Sequence, residues 1–255
     1  MSELDEIFHK LGLEVNRAYD RTAVISMTAR VGSTAFVSAL TSCGLSGRPI
    51  REIFNPRSSM KDLSEKFKPS SLVDYLNQYY GQETSGVLAF KTNWIDFATV
   101  VNWTGNHFRE IFPEVKFVHI ERKDKVAQAY SLWKANEYNI WHREAGAKYE
   151  SPVVGQVPLG PIKNNLANLQ AEETKWQQYF EMNEIVPHRV YFEDFSENLT
   201  DAVSGAFQYF TGEMPEKKPV SSLVRSSDER DTMVLFDLHS RLTDEAMSND
   251  DETRR

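Results

Sequence analysis

The 255-residue chain holds one cysteine, Cys43, so no intrachain disulfide can brace it. A lone thiol beside Gly44 at a helix end reads as a packed side chain in a reducing compartment. No stretch is apolar for eighteen residues, which argues against a membrane-spanning helix. The acidic start MSELDEIFHK has neither the positive nor the apolar region of an export signal, so a cytoplasmic location is expected. Positive charge is in deficit. With 29 Lys and Arg against 37 Asp and Glu, the formal charge is −8, which disfavours nucleic acid or anionic membranes as partners, because both want a basic face. An anionic ligand would need a local positive pocket. There is no internal repeat and no linker.

What is present is ordinary for a globular protein: 40% hydrophobic and 26% charged residues, in a length that suits one domain. Apolar runs at Thr22–Met27, Gly86–Lys91, Val115–Arg122 and in HRVYFEDF read as strands. Helical patterns fall between and after them: Ser33 to Gly44, Leu72 to Tyr80, Asp124 to Tyr138, IKNNLANLQAEETKWQQYFEMN and NLTDAVSGAFQYFTG. A short helical arm, on Leu4, Ile7, Leu11 and Leu13, precedes the first strand. The segments GLSGRPIREIFNPRSS and AGAKYESPVVGQVPLGP are loops by their Gly and Pro content. The alternation predicts an α/β fold: one domain over residues 1–242, a mostly parallel central sheet flanked by helices, and a frayed acidic tail over 243–255.

Two places along this pattern look built for anions. In VISMTARVGSTAFVSALTSCG, from Val24 to Gly44, an apolar strand runs into a small-residue turn with Gly32, and Ser33 and Thr34 open a helix. Such a turn presents backbone N–H groups to a phosphate or sulfate. The nucleotide-triphosphatase form needs Gly-Lys-Ser/Thr, whereas here Arg30 precedes the glycine and no Lys follows it. The second place is HIERKDKVAQAYSLW. A strand ends at Arg122, Asp124 is a plausible N-cap, and Ser131 sits two turns into the next helix. Singly, Arg122 reads as a solvated charge and Ser131 as filler. Together, beside a first anion loop, they suit a phosphate monoester, the Arg giving charge and a planar fork and the Ser one directional donor. Ligands of open parallel sheets collect beyond the carboxyl ends of the strands, which puts the Ala29–Thr34 turn, Lys91 and Arg122 on one rim. Tyr130, Trp133 and Trp141 read as core.

These blocks resemble the PAPS-dependent sulfotransferases, and more narrowly the bacterial family typified by trehalose 2-sulfotransferase, over roughly residues 22 to 240. TARVGST is similar to that family's 5′-phosphosulfate loop, GRPIREIF to its acceptor and base segment, and RKDKVAQAYSLW, the specific block, to its 3′-phosphate motif; AEETKWQQYF and VYFEDF resemble later blocks in the same order. The resemblance implies a P-loop-like sulfotransferase fold with PAPS as sulfuryl donor, PAP as product and no metal. It implies that Arg30, Val31, Gly32, Ser33 and Thr34 hold the phosphosulfate, with Arg30 also catalytic, and that Arg122 and Ser131 grip the 3′-phosphate. Glu52 is implied as general base, with His119 and His107 as alternatives. Arg48, Pro49, Arg51 and Lys91 are expected on the acceptor side, and Arg230 closing over the nucleotide from a C-terminal loop. Two departures stand out. Val31 replaces a hydroxyl residue of the family, leaving only its backbone N–H, and Arg48, where an acidic residue can occur, together with Arg51 counts against trehalose as acceptor. The expected partners are a nucleotide donor and a hydroxylated acceptor, such as a carbohydrate or glycolipid; a homodimer is compatible with this. A P-loop kinase or phosphotransferase, and a catalytically inactive PAP(S)-binding protein, are the rival readings.

Overall fold

Alternation along the strands sets the layers of this protein. The computed structural model describes residues 3–10, 15–81, 86–139, 141, 153–221 and 229–253. Its strands are β1 (Arg21–Met27), β2 (Val87–Thr92), β3 (Val115–Glu121) and β4 (His188–Tyr191). They form one four-stranded sheet in the order β2-β1-β3-β4, and every pairing is parallel. Successive side chains of a strand point to opposite faces. Val24, Leu88, Phe90 and Phe117 therefore enter one core, while Ala23, Ile25, Val87, Ala89, Val118 and Ile120 enter the other. Strands buried on both faces are what an all-parallel sheet requires.

The helices before β2 are α1 (Glu3–His9), α2 (Ser33–Ser42), α3 (Ser59–Phe67) and α4 (Leu72–Tyr80). Between β2 and β3 lie α5 (Trp94–Thr104), a 3-10 turn (Gly105–His107) and α6 (Phe108–Ile111). After β3 come α7 (Lys125–Tyr138) and α8 (Leu159–Met182), and after β4 come α9 (Phe192–Glu197), α10 (Leu199–Thr211) and α11 (Glu229–Thr253). The first core is closed by Tyr75 and Leu76 of α4, Phe97 and Val100 of α5, and Trp176 and Phe180 of α8. The second is closed by Phe36 and Leu40 of α2 with Val203 and Phe210 of α10. A third cluster joins Tyr130 and Trp133 of α7 to Leu169 of α8 and Val234 of α11. There the buried Asp231 carboxylate accepts from Tyr130 Oη and pairs with Lys134 Nζ, each at 2.7 Å, which fastens α11 to α7.

Two differences from the sequence pattern bear on the site. HRVYFEDF is not one strand: pairing stops at Tyr191 and α9 starts at Phe192, with Glu193 and Asp194 in its first turn. Carboxylates there favour a helix N-terminus, and the apolar Phe195 still reaches the second core. The stretch after β2 also folds as α5. Asn93 caps it by accepting from Asp96 N (2.9 Å), and Phe97, Val100 and Trp103 supply a buried face despite β-branched residues of weak helical propensity. Leu11 and Leu13 of the N-terminal arm, and much of AGAKYESPVVGQVPLGP, lie outside the described residues.

Candidate active site

The turn after β1 is shaped by two left-handed residues, Arg30 (φ 67°) and Gly32 (φ 73°). Gly32 is required for a second reason. A Cβ there would stand 2.7 Å from the Phe192 ring, closer than packing allows. Gln128, fully buried on α7, holds the turn from behind, donating to Thr28 Oγ1 (2.8 Å) and to the Ala29 carbonyl (2.7 Å). The Val31 side chain is turned wholly into the second core, so the turn contributes backbone at that position. The N-cap of α2 is Gly32, which has no side chain to cap the first turn, so that end is a positive, donor-rich terminus.

Lys91 shares the face of β2 that carries Val87 and Ala89, the face covered by α2, and this parity aims it at the turn. Its ammonium, 9% exposed, lies 3.0 Å from Thr34 Oγ1 and 3.0 Å from Glu52 Oε1. The second Glu52 oxygen accepts from Asn55 Nδ2 (3.0 Å), so both oxygens of the carboxylate are held. Glu52 reaches this place because its segment follows the outer edge of β2. The Arg51 carbonyl accepts from Lys91 N (3.0 Å), and Tyr79 Oη donates to the Pro49 carbonyl (3.0 Å). Arg51 and Pro49 are exposed. Arg48 is not brought to the cluster: its guanidinium packs on Gly81, with Nη2 2.5 Å from where a Cβ would stand. The neighbouring Asp96 carboxyl is pushed up to about 6, by burial first and by the charge of Glu52 as well, against the Asn93 hydrogen bond and Arg57. Burial also raises Glu172 on α8, with Asp96 and Glu173 adding to the effect and Lys175 opposing it.

On the other side of the turn, Arg30 reaches Ser131 of α7, and Arg122 reaches the backbone of the turn and the Phe192 ring. Arg30 Nε donates to Ser131 Oγ (3.0 Å) and Nη1 to the Trp141 carbonyl (2.5 Å), and burial pulls the guanidinium below its ordinary value. Arg122 Nη1 donates to the Arg30 carbonyl (3.4 Å). Asp124 caps α7 as expected, accepting from Ala127 N (2.8 Å). Tyr130 and Trp133 are buried, but Trp141, expected in the core, is 44% exposed beside Arg30. Its carbonyl is what the structure uses, and a backbone acceptor leaves no mark in a side-chain pattern.

His119 is enclosed on the opposite face of the sheet from Lys91. Its Nδ1 is 3.0 Å from Ser26 Oγ, its Nε2 is 3.5 Å from Glu121, and the rings of Trp176 and Phe180 pack against it. His107 pairs with Glu110 (2.9 Å) near the start of β3, at the other end of the sheet. Arg230 lies in the first turn of α11, not in a loop, and its side chain is outside the described residues. Among the described residues no three His, Cys, Asp or Glu side chains stand together as a metal site. Sequence reasoning passed over Asn55, Gln128, Phe192 and Glu193. Only Asn55, three residues after Glu52, had a local signal; the others act across 69 to 160 residues of chain.

A family model described as Stf0 sulphotransferase matches residues 22–233. The chain is also similar to two proteins named trehalose 2-sulfotransferase. The one from Mycobacterium tuberculosis (strain ATCC 35801 / TMC 107 / Erdman) is 25% identical over 247 residues, covering 82% of this chain and 91% of the relative. The one from Mycolicibacterium smegmatis (strain ATCC 700084 / mc(2)155) is 24% identical over 251 residues, covering 81% and 90%.

Proposed function

Because the chain belongs to the Stf0 sulphotransferase family, we propose that it moves a sulfuryl group from PAPS to a hydroxyl of a carbohydrate or glycolipid-type acceptor, with Glu52 as general base. The observation that carries this reading is the Lys91 ammonium, 3.0 Å from both Thr34 Oγ1 and Glu52 Oε1. It sets the first turn of α2, where the donor's sulfate end would lie, directly opposite a carboxylate. PAPS supplies the sulfuryl group and departs as PAP.

The chain's own residues then have three tasks. The N–H groups of the turn, with Ser33, Thr34 and Arg30, hold the 5′-phosphosulfate and take up the negative charge that grows on the bridging oxygen. Arg122 and Ser131 bind the 3′-phosphate that separates PAP from AMP. Glu52 removes the acceptor's hydroxyl proton as that oxygen bonds to sulfur, a contribution typically worth ~10²–10⁴ in rate. Sulfuryl transfer, like phosphoryl transfer, is mainly positioning and charge management, and these groups need no metal to do it. Lys91 and the exposed Arg51 stand on the acceptor side with Pro49; Arg48, packed on Gly81, leaves Arg51 alone to oppose trehalose. The catalytic domain is taken as residues 1–242. A free, buried Cys43 suits work in the cytoplasm.

The test is turnover of labelled PAPS against sugars, glycolipids and phenols, together with thermal shifts. PAP at one hundred times its Kd should stabilise the fold by ~2.7 kcal/mol, and AMP at the same concentration far less. AMP equal to PAP would overturn the nucleotide assignment. PAP binding without turnover on any acceptor would favour the inactive binding protein.

A further inference from the structure

Phe192 and Glu193, the first residues of α9, touch both anion-binding elements at once. The Phe192 ring fills the space that a Gly32 Cβ would need, 2.7 Å from that position, and its face carries the Arg122 guanidinium at 4.5 Å. Glu193 Oε2 accepts from Lys123 N (2.9 Å) and Oε1 from Asp124 N (3.2 Å), and Oε1 lies 3.9 Å from Arg122 Nε. The carboxylate thus occupies the backbone N–H groups at the entrance of α7, where an anion would otherwise bind. Recognition of a phosphate beside α7 is left to side chains. Arginine is long and rich in rotamers, so a cation–π stack and a carboxylate at its Nε hold the guanidinium plane while its N–H edge serves the anion.

We propose that the Phe192–Glu193 step is the positioning element of the 3′-phosphate site, fixing Arg122 in the orientation that tells PAP from AMP. This inference rests on the PAPS reading. One turn of chain, contributed by the far edge of the sheet, would then tie the 5′ loop to the 3′ site and set the distance between two phosphate positions.

The experiment is calorimetric titration of PAP and AMP into wild type, Glu193→Gln, Glu193→Ala, Phe192→Leu and Phe192→Tyr, each checked for folding by its melting curve. The PAP-to-AMP affinity ratio should fall about tenfold in Glu193→Ala and Phe192→Leu, the equivalent of one charge-assisted hydrogen bond. It should fall less in Glu193→Gln and recover in Phe192→Tyr, which keeps the ring. KM for PAPS should rise with kcat nearly unchanged. Phe192 also packs on Gly32, so if its variants fail to fold, the partly exposed Glu193 position decides. A purely structural role would lower the melting temperature and leave the ratio unchanged, and that result would overturn the proposal. A wild type that does not prefer PAP would instead refute the PAPS reading, and this inference with it.

Discussion

Glu52→Gln perturbs stability and chemistry by amounts the structure lets one separate. The glutamine keeps the shape and can still present a carbonyl oxygen to Lys91, 3.0 Å away. It puts an amide where Asn55 Nδ2 now donates (3.0 Å), and Asn55 cannot simply turn over, because its Oδ1 already accepts from Arg57 N (3.0 Å). Lys91 also loses its counter-charge. Removing one partner of a fully buried pair costs about 3–5 kcal/mol. Here Glu52 is 25% exposed and Thr34 still accepts from Lys91, so solvent screening brings the expected loss to about 1–3 kcal/mol. On the proposed mechanism the amide cannot take the acceptor's proton, so kcat should fall ~10²-fold or more, about 2.7 kcal/mol at the least, while PAP affinity hardly changes. A second variant, Glu52→Gln with Lys91→Met, should regain part of the stability, since neither charge is left unpaired, and regain no activity. The assays are melting temperature, PAP titration and kcat at saturating PAPS on folded protein. A Glu52→Gln enzyme retaining most of its turnover would remove Glu52 from the proton transfer, and leave the nucleotide assignment standing on Arg30, Arg122 and Ser131.

Gly32→Ala should cost about 2–5 kcal/mol, combining a left-handed non-glycine residue with a Cβ 2.7 Å from Phe192, and a melting shift near zero would show that the turn relaxes freely. Asp96 makes stability depend on pH. With its carboxyl at about 6 in the folded protein and 3.8 ordinarily, the native state binds more protons between those values, so this group lowers stability as pH rises from about 4 to about 6. Asp96→Asn should therefore gain on wild type across that window in melting curves, and parallel curves would refute the assignment. Turnover with PAPS should persist in excess EDTA, because the proposed charge clamp is made of Arg30, N–H groups and hydroxyls; an absolute magnesium requirement would favour the kinase reading.

Local chemistry makes much of this protein legible in its sequence. Apolar runs marked the strands, turn residues and the Asp124 cap marked the start of α7, and the small-residue turn before Ser33 marked the start of α2. All of these depend on residues within a few positions of one another, which sequence reads directly. The tertiary structure decided what depends on distant chain. It ended β4 at Tyr191, where Glu193 engages Lys123 and Asp124 about 70 residues earlier. It stabilised α5 through the faces it buries, and placed Trp141 at the surface with its carbonyl on Arg30. It turned Arg48 onto Gly81 while Glu52, four residues on, met Lys91 and, through it, Thr34. Residue type and spacing specify which chemistry is on offer. Which groups meet is set only when parallel pairing brings the ends of separate strands onto one rim, since such contacts are non-local and follow from the packing of whole layers.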